Sequence, residues 1–348
     1  MIENLVRNHL RTFAPYTSAR SEVQKGEVLL DANELSLGSA ATFNGLSLNR
    51  YPDPNQTLLR SSLGEYLGMQ PESVFVGSGS DEIIDLLIRL FCEPAHDRIS
   101  VVEPTYGVYK VAANVSAVGV DAIDLGPDFQ LDVPRILNFP GRATKMVFLC
   151  SPNNPTGNLL KTEDIVSLCK STKTIVVVDQ AYLEFGDPAG DVAREVLRFP
   201  NLVVLRTLSK AWGLAGIRLG YCVADPLVVS YLLRIKAPYN INAVTSKLAC
   251  EALDNAGFLE TAVATVRSER ARLSGALRTI PAVVRVFPSD ANFILVEFNN
   301  ARAAYERLAS CGVIVRRRSE PRLRNCLRIT VGTKAENDRV VEILRELK

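Results

Sequence analysis

The sequence predicts an α/β fold in which a large, mostly parallel sheet is flanked by helices and is followed by a smaller α+β domain. The chain has 348 residues, more than one core of ordinary size accommodates, which favours two domains. Between residues 73 and 225, short apolar runs alternate with segments of helical periodicity, a pattern typical of parallel strands joined by right-handed crossovers. The pattern changes near residue 240. We therefore assign residues 45–245 to a large domain, and residues 1–44 and 246–348 to a small domain with an N-terminal arm.

The predicted large domain begins with a helix, a strand, a glycine turn and a second helix. Residues 58–67 have amphipathic helical spacing, and a strand follows from Ser73. The turn Gly77-Ser-Gly-Ser80 then leads into apolar positions at helical spacing, namely 83, 84, 86, 87, 90 and 91. We expect Ser80 or Asp81 to cap the first turn of this helix. The free N–H groups at such a helix start can bind a phosphate without many charged side chains.

Further strands are predicted as apolar runs that end in polar or glycine-containing loops. In the large domain they start at Arg98 and cover residues 145–150, 175–178, 202–205 and 219–223. A long helical region from Thr245 to Leu277 follows. The small domain is predicted to contain strands at 283–287, 293–298, 312–316 and 327–331, a helix at 301–311 and a final helix that reaches residue 348.

The composition argues against several classes of function. Hydrophobic residues make up 47% of the chain, charged residues 22%, and the net charge is +2, so nothing indicates nucleic acid or a membrane as a partner. The N-terminus lacks a signal-peptide core and no run approaches ~18 apolar residues, so we expect a cytoplasmic protein. The seven cysteines show no C-x-x-C spacing, which favours free thiols over disulfides or a metal site.

Polar side chains follow two of the predicted strands, where ligands of open α/β sheets bind. Lys210 comes shortly after the apolar run 202–205, in a loop that contains Ser209 and is followed by Arg218. A lysine amine in such a place can condense with an aldehyde, and Ser209 and Arg218 can donate hydrogen bonds to a phosphate. Asp179 ends a β-branched run, where a buried carboxylate needs a cationic partner such as a protonated pyridine nitrogen.

Three motifs together resemble those of the fold type I pyridoxal-phosphate-dependent transferases: Ser209-Lys210 with Arg218, Asp179-Gln-Ala-Tyr182, and Ser151-Pro-Asn-Asn-Pro-Thr-Gly157. Two longer blocks, Thr207–Gly216 and Cys326–Thr333, are similar to those of the histidinol-phosphate aminotransferase family. The blocks follow the order of that family over nearly the whole chain. The departures are mild, because the family's Asn-Glu-Asn-Pro and Asp-Glu-Ala-Tyr are here Ala-Asn-Glu-Leu and Asp-Gln-Ala-Tyr.

The resemblance implies pyridoxal 5′-phosphate as the cofactor. Lys210 would link covalently to it and then move the reacting proton, while Asp179 would keep the ring nitrogen protonated. Tyr182 and Asn154 would hold the ring oxygen O3′, and Tyr106 would stack on the face of the ring. The remaining cofactor contacts would come from residues around the phosphate, namely Ser80, Asp81, Ser209 and Arg218.

The resemblance also implies a substrate and a homodimer with shared active sites. Tyr51 would cross the interface to the cofactor phosphate of the other subunit. Arg328 would bind the carboxylate of glutamate as a planar fork, and Arg316, with Tyr16 nearby, would contact a substrate phosphate. Asn33 would also contact the substrate. The implied reaction moves an amino group between L-histidinol phosphate and 2-oxoglutarate in histidine biosynthesis, giving imidazole acetol phosphate and L-glutamate.

Three alternatives remain open on the sequence. A threonine-phosphate decarboxylase would share the cofactor residues and a phosphate pocket. An aminotransferase for aromatic amino acids would share the same scaffold. A regulatory module would bind the cofactor without turnover, although such modules usually accompany a DNA-binding segment and none is visible. Residues 316–318 could also form a solvated loop, so the arginine that contacts a substrate phosphate stays open.

Overall fold

The computed structural model describes residues 1–13, 43, 45–138 and 144–347, which form two β-sheets with helices packed against them. The helices are α1 (Ile2–Leu5), α2 (Asn8–Arg11), α3 (Thr57–Leu67), α4 (Gly79–Phe91), α5 (Val108–Val115), α6 (Val133–Asn138), α7 (Thr162–Ser171), α8 (Pro226–Ile235), α9 (Ala243–Leu253), α10 (Ala256–Leu277), α11 (Ala301–Ser310) and α12 (Lys334–Arg345). The strands are β1 (Val74–Ser78), β2 (Arg98–Glu103), β3 (Gly119–Asp124), β4 (Thr144–Cys150), β5 (Ile175–Asp179), β6 (Leu202–Thr207), β7 (Leu219–Ala224), β8 (Val283–Val286), β9 (Phe293–Phe298), β10 (Arg316–Arg317) and β11 (Cys326–Thr330).

The large sheet has the strand order β1-β7-β6-β5-β4-β2-β3. Neighbouring strands from β3 to β6 are parallel, whereas β7 is antiparallel to both β1 and β6. The predicted α/β class with a mostly parallel sheet is therefore confirmed. Because β1, β4, β5 and β6 all run in the same direction, their carboxyl ends meet at one edge of the sheet, which is where ligands of such sheets bind.

The strands of the large sheet are apolar because both of their faces are covered by helices and loops. On β5, Val177 packs into one core layer with Phe148 of β4, while Val176 and Val178 pack into the opposite layer. Burying each such side chain stabilises the fold by ~1.5–3 kcal/mol. The sheet is thus a rigid platform, and polar side chains at its carboxyl edge are held in fixed positions.

The small sheet has the order β10-β11-β9-β8 and is antiparallel throughout. One of its faces forms a core with α10, α11 and α12, in which Leu273, Ile294 and Leu327 are fully buried. Leu295 and Cys326 point to the opposite face and join a core layer of the large sheet. The two sheets therefore share a packed boundary, and the division into domains at residues 45–245 stays a prediction.

Two sequence predictions of local structure were wrong, those of a helix cap and of one strand. Helix α4 begins at Gly79 with Ser78 as its N-cap, so Ser80 and Asp81 lie inside the first turn and neither caps it. The long helical region predicted over 245–277 is helical and consists of two helices, because Asn255 accepts a hydrogen bond from the Phe258 N–H and begins α10. The predicted strand at 312–316 is reduced to Arg316–Arg317.

Candidate active site

A cavity of about 130 Å³ opens at the carboxyl edge of the large sheet. Nine of the ten predicted cofactor-binding residues line it: Ser80, Asp81, Tyr106, Asn154, Asp179, Tyr182, Ser209, Lys210 and Arg218. The pairing of the strands explains this convergence, because Cys150 of β4 lies beside Asp179 of β5, which in turn lies beside Leu205 of β6. Residues separated by up to 138 positions in the sequence (80 to 218) are thereby brought to one cavity.

One end of the cavity is formed by the start of α4 and is suited to an anion. Gly79 has a left-handed φ of 76° and begins the helix directly after β1, so the first helical N–H groups face the cavity. Gly220 on β7 permits this approach, since a Cβ there would lie 2.2 Å from the Ser80 nitrogen. Arg218, itself at a φ of 54°, places its guanidinium 3.6 Å from the Asp81 carboxylate. An anionic group held here would meet helix N–H groups and one guanidinium.

The carboxylate of Asp179 lies at the floor of the cavity. It is 3% exposed, and burial raises its pKa above the ordinary value of an aspartate, while two hydrogen bonds oppose that rise. The Tyr109 hydroxyl donates to Oδ2 at 2.7 Å, and the Ala181 N–H donates to Oδ1 at 3.1 Å. Tyr109 was not predicted from the sequence. The signal for it was its spacing of three residues from Tyr106, which lies just before the same helix.

The amine of Lys210 lies above the same cavity. The residue is exposed to the cleft, yet the surrounding protein desolvates it in part, and this desolvation and the positive charge of Arg328 lower the pKa of the Lys210 amine. Its Nζ lies 5.5 Å from the centre of the Tyr182 ring. A lowered pKa increases the fraction of neutral amine, which is the form that acts as a nucleophile and as a base.

Tyr182 and Asn154 form the wall opposite the helix start. The Asn154 amide donates to the Tyr182 hydroxyl at 3.4 Å, and both side chains are buried. Burial raises the pKa of the Tyr182 hydroxyl well above its ordinary value, so it stays a neutral hydrogen-bond donor. Arg328 of the small sheet reaches this wall, where its guanidinium donates to Asn154 Oδ1 at 2.5 Å.

Two arginines of α10 hold the turn that follows Tyr182. The Arg267 guanidinium donates to the carbonyl oxygens of residues 184–186, including that of Phe185 at 3.1 Å. Arg270 donates to the same Phe185 carbonyl at 3.1 Å and to the Ala291 carbonyl at 2.6 Å. The turn that carries Tyr182 is therefore fixed by a helix that packs on the small sheet.

The aromatic Tyr106 lies on the remaining side of the cavity, just before α5. Its hydroxyl donates to Asp81 Oδ1 at 3.2 Å, and its ring packs edge-on against Tyr109 with centroids 5.6 Å apart. The ring is therefore held between two fixed contacts. A flat ligand ring between Tyr106 and the opposite wall would be in contact with a rigid aromatic face.

Basic side chains of the small sheet surround the mouth of the site. Arg316 of β10 is the cross-strand partner of Arg328 on β11, and both line a second, wider cavity together with Arg317. Arg328 is half-buried, and burial lowers the pKa of its guanidinium. Arg316 and Arg317 are both exposed. An anionic substrate group at the mouth could therefore contact the half-buried Arg328 and the exposed Arg316 beside it.

Three predicted site residues remain: one lies outside the cavity, and two are not among the residues that the structure describes. Tyr51 does not line the cavity of its own chain; its ring is half exposed and stacks on Tyr239 with centroids 4.5 Å apart. Tyr16 and Asn33 fall outside the described residues. Within the ranges that the structure describes, no cluster of three or more potential metal ligands occurs, and no helix is long and apolar enough to cross a membrane.

The donor set of the cavity fits pyridoxal 5′-phosphate. A buried carboxylate at Asp179 can pair with a protonated ring nitrogen, because a buried anion needs a cationic or hydrogen-bonding partner. The start of α4 with Arg218 offers an anion site at the other end, and the Lys210 amine lies beside the cavity where an aldehyde carbon could reach it. Fold and site together define a pyridoxal-phosphate-dependent transferase.

Comparison with known proteins identifies the family. The model of the family described as aminotransferase class I and II matches residues 25–344, and the chain belongs to this family. A curated relative from Parabacteroides distasonis, named histidinol-phosphate aminotransferase, is 43% identical over 349 residues, covering 100% of this chain and 99% of the relative.

Solved structures agree with this assignment. The histidinol-phosphate aminotransferase from Sinorhizobium meliloti, in complex with pyridoxal-5′-phosphate, has a TM-score of 0.80 at 25% identity, covering 86% of this chain and 84% of that one. An L-threonine-O-3-phosphate decarboxylase from Porphyromonas gingivalis has a TM-score of 0.73 at 22% identity, covering 85% of this chain and 90% of that one. The second similarity shows the fold alone.

Proposed function

We propose that this aminotransferase moves the amino group of L-histidinol phosphate to 2-oxoglutarate, giving imidazole acetol phosphate and L-glutamate in histidine biosynthesis. The observation that carries the proposal is the full-length similarity to curated enzymes of that name. The site supports it, because an amine and a buried carboxylate line one cavity, and an arginine from the second sheet contacts Asn154 in the wall of that cavity.

Pyridoxal 5′-phosphate, when bound, supplies an aldehyde that links to amines and a ring that withdraws electrons from the substrate Cα. Lys210 would hold the cofactor through its amine and, as a neutral amine, would take the proton from the substrate Cα and move it during the reaction. Asp179 would hold the proton on the ring nitrogen. Tyr182 and Asn154 would hold the ring oxygen, since both side chains are buried and hydrogen-bonded to each other at the cavity wall.

Arg328 is the proposed carboxylate-binding residue for glutamate and 2-oxoglutarate. Its guanidinium is half-buried at the inner end of the mouth, and its contact with Asn154 places it beside the ring-binding wall. A planar guanidinium matches a carboxylate with two parallel hydrogen bonds. Histidinol phosphate has a phosphate in place of this carboxylate, and Arg316, the cross-strand neighbour of Arg328, is the proposed second phosphate contact.

We infer that the enzyme works as a cytoplasmic homodimer in which Tyr51 completes the partner's site. The position of Tyr51 supports this, because its half-exposed ring stacks on Tyr239 away from the cavity of its own chain. The test mixes an inactive Lys210→Ala chain with a chain inactivated at Tyr51. Heterodimers contain one site with both residues intact and should regain activity. Heterodimers without recovered turnover would contradict the shared site.

Formation of glutamate tests the reaction itself. The purified enzyme with cofactor is given L-histidinol phosphate and 2-oxoglutarate, and glutamate is measured in a coupled assay. Matched reactions contain phenylalanine or threonine phosphate as the amine, and carbon dioxide is measured in the latter. The highest kcat/KM should be that for histidinol phosphate. Preference for phenylalanine would indicate an aromatic aminotransferase, and release of carbon dioxide without an amino acceptor would indicate a decarboxylase.

A further inference from the structure

Tyr109 is a buried polar residue beside the cofactor cavity, and the proposed function gives it no role. It lies in the first turns of α5 and is fully buried, with 0% exposure. Its hydroxyl donates to Asp179 Oδ2 at 2.7 Å, a short distance typical of a hydrogen bond to a charged acceptor. The phenol therefore contacts the carboxylate that pairs with the cofactor ring.

The hydrogen bond from Tyr109 is the second of two hydrogen bonds to the Asp179 carboxylate among the described residues, and it restricts the orientation of that group. Asp179 Oδ1 accepts from the Ala181 N–H at 3.1 Å, which belongs to the loop that directly follows β5. With that bond alone, the carboxylate could still rotate about the bond that joins it to Cβ. The second donor comes from a different element, α5, and sets the plane of the carboxylate and the direction of its free lone pairs.

The position of the Tyr109 hydroxyl is itself fixed by packing. The ring stacks on Phe148 with centroids 4.8 Å apart at an interplanar angle of 16°, and Tyr106 packs against its edge. Tyr106 is in turn hydrogen-bonded to Asp81. The segment that leads into α5 therefore carries the ring-stacking aromatic just before the helix, and the first turn of α5 carries the donor to Asp179 three residues later.

Packing in the core alone would not explain why the Tyr109 hydroxyl donates a hydrogen bond to Asp179. Tyr109 is among the largest fully buried side chains, and a phenylalanine would bury as much apolar surface. A buried hydroxyl needs a partner, and Asp179 is a buried carboxylate whose ionised form is disfavoured by burial. A donor here stabilises the anion that the cofactor requires.

We propose that Tyr109 is a positioning residue whose hydroxyl orients Asp179 and stabilises it as an anion facing the cofactor ring nitrogen. The inference rests on the cofactor binding that the proposed function requires, and it is independent of which amine is the substrate.

The test uses Tyr109→Phe, which keeps the ring packing, and pyridoxine 5′-phosphate as the probe. This probe has no aldehyde and cannot link to Lys210, so its Kd reports the contacts of ring and phosphate. Loss of a hydrogen bond to a charged group predicts a Kd about 10-fold higher or more. Tyr231→Phe is the matched control, since Tyr231 is buried in the same core layer on α8 and should leave the Kd unchanged.

A double-mutant cycle separates positioning from general packing. In the Asp179→Asn background, Tyr109→Phe should change the Kd by less than about 2-fold, because no carboxylate remains to be oriented. An equal loss in both backgrounds, or no loss in the single variant, would overturn the proposal. Because no substrate is present, failure of the histidinol phosphate assay would leave this result intact and would sink only the proposed reaction.

Discussion

The cofactor end and the mouth of the active site are built in different ways. At the cofactor end, Asp179, Asn154 and Tyr182 are buried at strand ends and loops of one rigid sheet. At the mouth, Arg316 is exposed on a two-residue strand of the other sheet, and Arg328 is half-buried beside it. On the proposed function, the reaction takes place at the buried cofactor end, and the residues at the mouth select the substrate. Substitutions should divide accordingly into losses of rate and losses of binding.

The largest effect should follow from Lys210→Ala, which removes the amine that links to the cofactor and moves the proton. We expect turnover to be abolished, while the fold is retained because the Lys210 side chain is itself exposed. The measurement is glutamate formation together with the visible absorbance of the bound cofactor. If the variant still retained the cofactor covalently after borohydride reduction and dialysis, another lysine would be responsible.

Asp179→Asn should cost ~10³-fold in kcat, because an amide cannot stabilise a protonated ring nitrogen in a buried site. Pre-steady-state kinetics would locate the loss in the proton-transfer step. The cofactor should remain bound through Lys210 and the anion site at the start of α4. Near-normal turnover would mean that another group holds the ring nitrogen. It would contradict the expectation that substitutions at the cofactor end lower the rate.

Arg328→Lys should lower kcat/KM for glutamate by ~10²-fold, since a lysine keeps the charge and loses the two-pronged geometry. The same variant should retain the cofactor with unchanged affinity. Equilibrium dialysis of the cofactor and steady-state kinetics with glutamate provide the two measurements. A loss of cofactor affinity equal to the loss of kcat/KM would show that Arg328 also contributes to cofactor binding.

Arg316→Ala should raise the KM for histidinol phosphate by ~10-fold and leave kcat nearly unchanged, because one exposed charge contact to a phosphate is lost. Arg317→Ala is the matched control: it removes the adjacent exposed arginine, and we expect a change below ~2-fold. If the control showed the larger effect, the phosphate contact would belong to Arg317. Equal small effects would favour a solvated loop.

The smallest expected effect concerns stability without cofactor. Folding lowers the pKa of Lys210 from its ordinary value of 10.5, so the charged amine is less favourable in the folded than in the unfolded chain. This cost is fully present below the folded pKa and disappears as the pH rises past the unfolded value. Because the Lys210 side chain is exposed and solvent screens much of this cost, Lys210→Met should raise the Tm of the cofactor-free protein only slightly at pH 7, with no gain near pH 11.

A surface lysine provides the control for this stability measurement. Lys247 is paired with Glu251 at 2.9 Å on α9, and Lys247→Met should not raise the Tm. A Lys210→Met protein with no gain at pH 7, measured by thermal unfolding over that pH range, would contradict the desolvation of the amine.

The sequence predicted the residues around the cofactor better than the way they are held. Lys210 and Asp179 follow apolar runs and Arg218 directly precedes one, and such runs reliably become buried strands whose ends converge. The reversed direction of β7 was not predicted, because apolar periodicity carries no information on strand direction. Tyr109 was missed for a related reason, since a tyrosine in an apolar helical pattern looks the same whether its hydroxyl contacts water or a buried carboxylate.

Contacts between distant segments were equally invisible in the sequence. The hydrogen bond from Arg328 to Asn154 joins residues 174 positions apart, and it depends on how the two sheets pack. The short strand at Arg316 was overestimated, because Val313 and Val315 pack on the small-sheet core without strand pairing. The hydrophobic pattern thus predicted correctly which residues are buried. It did not predict which residues form hydrogen bonds with each other.

The hydrogen bonds from Arg267 and Arg270 to the turn after Tyr182, here called the clamp, affect the order in which parts of the site form during synthesis on the ribosome. Phe185 is synthesised 82 residues before Arg267, so every strand of the large sheet has emerged before the clamp exists. N-terminal parts of a chain generally begin to fold first during synthesis. The wall formed by Tyr182 and Asn154 is therefore finished late, and a nascent chain stalled before residue 267 would carry Lys210 and Asp179 without a completed site.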